Sequence, residues 1–213
     1  MTTRGQIYVL AGVNGAGKSS IIGATIRDKG GEYYNPDEAA RAIRAANPGL
    51  GQTESNAAAW EQGRKLLQRA VEEGLDFTFE TTLGGTTMPA LLAEAAQRGI
   101  EVRMFFVGLH SAEAHIERVR QRVRGGGHDI PEAAIRRRYR HSLINLITLL
   151  PKLTELRVYD NSTTADPATG QAPTPVLVLH LQRGRIVGPP DLAATPAWAK
   201  PIVAAALELH RWP

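Results

Sequence analysis

Apolar positions follow two rhythms along this chain, short continuous runs and stripes recurring every three or four residues, and the two alternate from end to end. Gln6-Ile-Tyr-Val-Leu-Ala11 is an apolar, β-rich run; beyond a glycine-rich turn, Ile21, Ile22, Thr25 and Ile26 recur with helical spacing up to Gly30-Gly31. Residues 32–35 predict a short second strand, and residues 37–43 open a helix that stops before Asn47-Pro48-Gly49. A longer helix is predicted over 53–73 with Gly74 as its C-cap, then a third strand over 76–80 and a helix over 89–98 closed by Gly99. Residues 100–107 are a near-continuous apolar strand of the kind buried on both faces. Residues 111–124 predict a helix with Ile116, Val119 and Val123 on its inner face, broken by Gly125-Gly-Gly127. Residues 129–150 predict another, opened by an Asp129-x-x-Glu132 capping box. A fifth strand over 156–160, a turn-rich loop over 161–175, a hairpin over 176–187 around Arg183-Gly184 and a helix over 202–210 complete the chain.

Strands separated by helices in this order predict an α/β fold: a five-stranded, mainly parallel sheet with right-handed crossovers and helices on both faces. Ligands of such sheets bind at the carboxyl ends of the strands. A length of 213 residues fits one domain over 1–213, with a core over 1–162 and a C-terminal extension over 163–213 made of a small hairpin and a helix. The apolar share of 43% is enough for a substantial core. With no cysteine, disulfides and thiolate metal sites are excluded, in keeping with a reducing compartment such as the cytoplasm. No leader pattern precedes the first strand and no apolar run reaches bilayer length, so neither export nor a membrane span is expected. The net charge of +4 is concentrated, with eight arginines from Arg118 to Arg140 and few aromatic residues among them, which argues against nucleic acid as the partner.

Between the first strand and the first helix, Gly12-Val-Asn-Gly-Ala-Gly17-Lys18-Ser19 satisfies G-x-x-x-x-G-K-[ST] at every fixed position, in the required strand-turn-helix context. The glycines let the backbone curl so that successive amides, from Gly12 through Asn14, Gly15, Ala16 and Gly17 to Ser20, face phosphate oxygens. Lys18 reaches the β and γ phosphates and Ser19 supplies a hydroxyl to Mg²⁺. The expected cofactors are therefore ATP and Mg²⁺, and the fold is of the P-loop kinase type.

A P-loop alone leaves the reaction open. Asp37, just past the second strand, is placed to accept the proton of a substrate hydroxyl during phosphoryl transfer, or to cap the helix after Pro36. Glu80, at the end of the third strand, suits Mg²⁺ or a substrate hydroxyl beside Thr81 and Thr82; the bland alternative is a loop acid in water. Arg118 and Arg122, four residues apart, project from one polar side of their helix ahead of the flexible segment Gly125-Gly-Gly-His128-Asp129. This is either an arginine-bearing lid over the transferring phosphoryl group or a solvated helix face.

Taken together, the P-loop, Asn35-Pro-Asp37-Glu38, Phe79-Glu80-Thr-Thr82-Leu83, Arg118-Val-x-x-Arg122-Val, Gly126-Gly-His-Asp-Ile-Pro131 and Asp160-Asn161-Ser162 resemble the zeta-toxin family of P-loop kinases. The resemblance runs from the first strand to about Ser162. It implies a kinase that phosphorylates the 3′-hydroxyl of the sugar in UDP-N-acetylglucosamine, a nucleotide sugar, and that is held in check by an antitoxin protein blocking the ATP site. By position it makes Asp37 the catalytic base and Lys18 the phosphate-binding lysine, and it makes Arg118 and Arg122 the phosphate-stabilising arginines. Glu80 and Thr82 contact the substrate, with Arg124 grouped on the same side, and Asn161 lies beside the adenine. Two alternatives stay open: a P-loop kinase for another small-molecule or polynucleotide hydroxyl, and a nucleotide-dependent module that binds nucleic acid or a protein without turnover.

Overall fold

The computed structural model describes residues 5–28, 30–163 and 174–211. Most of the loop expected over 161–175 lies outside them. One sheet holds six strands in the order β2-β1-β3-β4-β5-β6. β1 (Gln6–Ala11), β2 (Phe77–Thr81), β3 (Glu101–Gly108) and β4 (Glu155–Asp160) are parallel, whereas β5 (Val176–Gln182) is antiparallel to β4 and β6 (Arg185–Gly188) antiparallel to β5. After β1 come a wide helical turn, Ser19–Gly23, and α1 (Ala24–Asp28), then α2 (Pro36–Ala46) and α3 (Gln52–Glu73). α4 (Thr87–Gln97), α5 (Ala112–Arg124), α6 (Glu132–Leu149) and α7 (Lys200–Arg211) follow.

Two expectations about the sheet are corrected. The hairpin over 176–187 is not an appendage: its two strands extend the sheet, and with the strand expected over 32–35 lost the count is six rather than five. β4 would otherwise leave a free edge of backbone donors and acceptors, and pairing there also buries Val178, Leu179 and Leu181. The strand expected over 32–35 shrinks to one bridging residue, Tyr34 beside Phe79, whose amide donates to Thr78 O at 2.8 Å and whose carbonyl accepts from Glu80 N at 2.9 Å. Pairing stops there because Asn35 turns to cap α2 and Pro36 has no N–H to give.

The Asp129–Glu132 capping box does not form either. Ile130, preceding a proline, is steered away from helical geometry, so α6 starts at Glu132 with Pro131 as its N-cap. Asp129 Oδ1 instead accepts from Ile130 N at 2.8 Å, and Glu132 pairs with Arg120.

The two sheet faces are unequally covered. Ile7, Val9, Met104, Phe106, Leu156, Val158 and Leu181 meet α3, α4, α6 and α7 in the main core, to which Leu67, Leu92, Leu146 and Ile202 contribute. On the other face a small cluster of Leu10, Val107 and Phe105 packs on Ile21, Ile22 and Ile26. A third cluster joins Val13 to Ile116, Val119, Ile130 and Ile135, fastening α5 and α6 to the P-loop. Among the described residues no helix is long and apolar enough to cross a membrane.

Candidate active site

The carboxyl ends of β1, β2, β3 and β4 open on one rim, and α2 begins there because the Tyr34 bridge holds its entry against β2. The P-loop leaves β1 with the Gly12 amide donating to Thr81 O at 3.2 Å, and Ala16 N closes a turn onto Val13 O at 3.1 Å. Gly17 has φ of +91°, and a Cβ there would lie 2.7 Å from Asn161 Nδ2, so only glycine admits this approach. Asn161, buried at the end of β4, donates from Nδ2 to Ala16 O at 2.8 Å. Its side chain therefore braces the loop from below.

Lys18 is buried, and burying an ammonium requires a counter-charge. Glu80 provides it, with Oε1 3.3 Å from Lys18 Nζ, while Ser19 Oγ donates to Glu80 Oε2 at 2.7 Å. The serine hydroxyl and the carboxylate form the kind of hard-oxygen donor pair that Mg²⁺ accepts alongside water and phosphate oxygens, so these residues fit the ion. Among the described residues no group of three His, Cys, Asp or Glu is placed to hold a metal ion on its own.

Asp37 lies in the first turn of α2 but does not cap it. The cap is Asn35, whose Oδ1 accepts from Asp37 N at 2.9 Å and Glu38 N at 3.4 Å. The Asp37 carboxylate is thus left to the cleft, 3.8 Å from Arg122 Nη1 and 3.8 Å from His128 Nε2. Two cavities meet at it. One, of about 670 Å³, runs from the P-loop past Ser19, Asp37, Arg118 and Arg122. The other, of about 430 Å³, lies beneath α3 and the start of α6 and is lined by Thr82 among others. Asn14, Asp37, Glu80 and His128 line both. A larger cavity of about 920 Å³ at the opposite end of the sheet, around Lys152 and Arg183, holds none of the motif residues.

The arginines sort by position. Arg118 Nη2 donates to Asn161 O at 2.6 Å and Thr163 O at 3.1 Å, and burial lowers its pKa. Arg122 Nη2 holds His128 O at 3.1 Å, and its Nε is buried without a partner at the cavity wall. Arg124 is exposed, pairs with Glu117 at 3.0 Å on its own helix and lines neither cavity. Thr82 Oγ1 accepts from Gly84 N at 3.4 Å.

Two residues given no role from the sequence belong to this group, one of them, Arg138, from the arginine cluster. Arg138 Nη1 donates to Asn14 Oδ1 at 2.7 Å and makes no ion pair among the described residues. Its pKa is lowered, chiefly by burial, with Asp37 opposing the shift. His115 is fully buried beside the loop, with Nδ1 3.0 Å from Asn14 O. A carbonyl only accepts, so Nδ1 carries a proton. Burial pushes the pKa of His115 down to about 4.

In fold, the chain is similar to the AvrRxo1-ORF1:-ORF2 crystal structure with ATP, at a TM-score of 0.64 and 13% identity, over 96% of this chain and 64% of that one. It thus spans a little under two thirds of that chain. A second likeness, at a TM-score of 0.52 and 16% identity over 75% of this chain and 69% of the other, is to the PezAT chromosomal toxin-antitoxin system of Streptococcus pneumoniae. In sequence, an uncharacterized protein of Haemophilus influenzae is 29% identical over 131 residues, 60% of this chain and 88% of that protein. The family model described as Zeta toxin matches residues 2–166, a span that holds the P-loop, Asp37, Glu80, both arginine-rich helices and Asn161, and by that match the chain belongs to the zeta-toxin family.

Proposed function

We propose that this protein is an ATP- and Mg²⁺-dependent kinase that transfers the γ-phosphoryl group to a hydroxyl of a small molecule, and that it acts as a toxin restrained by an antitoxin. The acceptor suggested by the family resemblance is the 3′-hydroxyl of UDP-N-acetylglucosamine. The observation that carries the reading is the shared wall: Asp37 and Glu80 stand between a P-loop cavity and a second chamber large enough for an acceptor.

In this reading the P-loop amides and Lys18 hold the triphosphate in the first cavity, and the acceptor hydroxyl enters from the second. Its oxygen forms the new bond to the γ phosphorus as the bond to the β-phosphate oxygen breaks, and its proton passes to Asp37. ADP and the phosphate ester are the products. Mg²⁺, held by Ser19 and Glu80, would neutralise charge on the phosphate oxygens. Arg118 and Arg122 complete the positive lining; Arg138 reaches the same wall through Asn14. Asn161, whose amide faces Ala16 O, supports the loop directly and the adenine side only by proximity.

Incubation with ATP, Mg²⁺ and UDP-N-acetylglucosamine is expected to yield ADP and a singly phosphorylated product. Asp37→Asn should cut kcat by at least ~100-fold with little change in ATP affinity, the loss expected for a general base. Mass spectrometry of metabolites from cells expressing the wild type, against the Asp37→Asn control, identifies the acceptor if it is another compound. A variant as active as the wild type removes Asp37 from the mechanism.

A further inference from the structure

The two cavities that meet at Asp37 have walls of opposite character. In the P-loop cavity the cations prevail: Lys18, Arg41, Arg44, Arg118 and Arg122 line it against the carboxylates of Asp37, Glu38 and Glu80. The second chamber has the carboxylates of Asp37, Glu80 and Asp129, and its one guanidinium, Arg138, is drawn toward the P-loop by Asn14 Oδ1. A phosphate entering that chamber would give up water to face carboxylates, a desolvation without compensation.

The remaining wall is aromatic. Asn56, Ala57, Trp60 and Gly63 share one face of α3 and line the chamber. Trp60 is 45% exposed and is the one aromatic among the large apolar side chains left exposed in the described residues. Its surroundings are built to be stiff. Tyr34, also in the lining, donates its hydroxyl to Ala59 O, and a Cβ on Gly63 would come within 2.6 Å of the Tyr34 ring, so the missing side chain lets that ring lie flat on α3. An indole kept open beside fixed carboxylates offers an apolar face to a ring and acceptors to its hydroxyls.

We infer that Trp60 is the specificity-determining wall of the acceptor chamber. It takes an uncharged hydroxylated ring, or the uncharged ring end of a larger acceptor, flat against the indole, while the carboxylates keep phosphate out of the chamber. The inference rests on reading this chamber as the acceptor side of the kinase.

The test is a titration of the full wild-type chain saturated with ADP and Mg²⁺, which has no γ-phosphoryl group to transfer, followed by the indole N–H resonance that disappears in Trp60→Phe. A pool of uncharged pyranosides, cyclitols and ribonucleosides should move that resonance, and in a matched pool a phosphate added to the same ring should bring no gain in affinity. Phosphates that bind more tightly than their uncharged parents, or a Trp60 resonance unmoved by either pool, overturn the inference. In steady-state turnover, Trp60→Ala should raise acceptor KM about tenfold, leave ATP KM unchanged and be rescued by Trp60→Phe. Binding and turnover are read separately. A moving resonance without turnover in the wild type therefore removes the kinase reading and keeps the chamber's preference, whereas turnover with an unmoved Trp60 does the reverse.

Discussion

Asn14 is gripped at both ends, its carbonyl by His115 on α5 and its side chain by Arg138 on α6. Burial, with help from the nearby charges of Lys18 and Arg118, keeps the His115 ring neutral by lowering its pKa to about 4 from the ordinary 6.5, although the hydrogen bond to Asn14 O opposes the shift. The sign of the pH effect follows. Between those two values the unfolded chain binds the proton and the folded chain does not, so stability is complete above about pH 6.5 and falls as pH drops toward 4. His115→Gln keeps an N–H donor but cannot titrate. The stability advantage of wild type over this variant should therefore be largest at pH 7 and shrink steadily down to pH ~4.5 in thermal melts across that range. An advantage independent of pH would show that His115 is not the group that titrates.

At the scale of elements, the start of α2 is where folding and chemistry coincide. Asn35 satisfies two amides of the first turn and thereby leaves the Asp37 carboxylate free for the cleft. Asn35→Ala is expected to cost about 1 kcal/mol of stability. It should also lower kcat beyond what that loss explains, since it frees the turn that aims Asp37; Asn35→Asp, which can still cap, should preserve both. Urea unfolding and steady-state kinetics on the two variants check this, and equal kcat in Asn35→Ala and wild type would disconnect the cap from the proposed base. The sequence made α2 and Asp37 legible through Asn-Pro-Asp-Glu, and the P-loop through its spacing, because local backbone geometry demands those residues. It left open whether Asp37 caps, since Asn35 and Asp37 are both good caps. The sheet extension by β5 and β6 and the single Tyr34 bridge depend on which edges remain free after folding, which no local pattern records. Arg138 is one of three consecutive arginines, and its contact with Asn14 spans 124 residues. A signal was nonetheless present, since Arg138 lies three residues after Ile135 and four before Ser142, on the stripe of α6 that is buried.

For the whole molecule, the P-loop is the joint on which the other parts bear. β2 reaches it through Thr81 O and Glu80, β4 through Asn161, α5 through His115 and α6 through Arg138. What binds the loop is therefore coupled to the stability of the entire domain. The Lys18–Glu80 pair makes this measurable, because its side chains are only 6% and 11% exposed and neither charge has much water to fall back on. Glu80→Gln keeps one acceptor oxygen, turns the other into an N–H₂ donor and removes the counter-charge, which should destabilise the nucleotide-free protein by about 2 kcal/mol. A triphosphate supplies negative charge to the same lysine. With saturating ATP and no Mg²⁺ the deficit of the variant should thus shrink by more than half, although ligand linkage alone raises both proteins together. If Ser19 and Glu80 hold Mg²⁺ as proposed, adding the ion should then stabilise the wild type further and the variant little, because one of the two proposed protein oxygens is altered. Denaturant titrations under the three conditions give the comparison directly. A deficit that is the same with and without ATP would mean that the triphosphate does not replace the Glu80 carboxylate at Lys18, and the phosphate-binding geometry assigned to the loop would have to be abandoned.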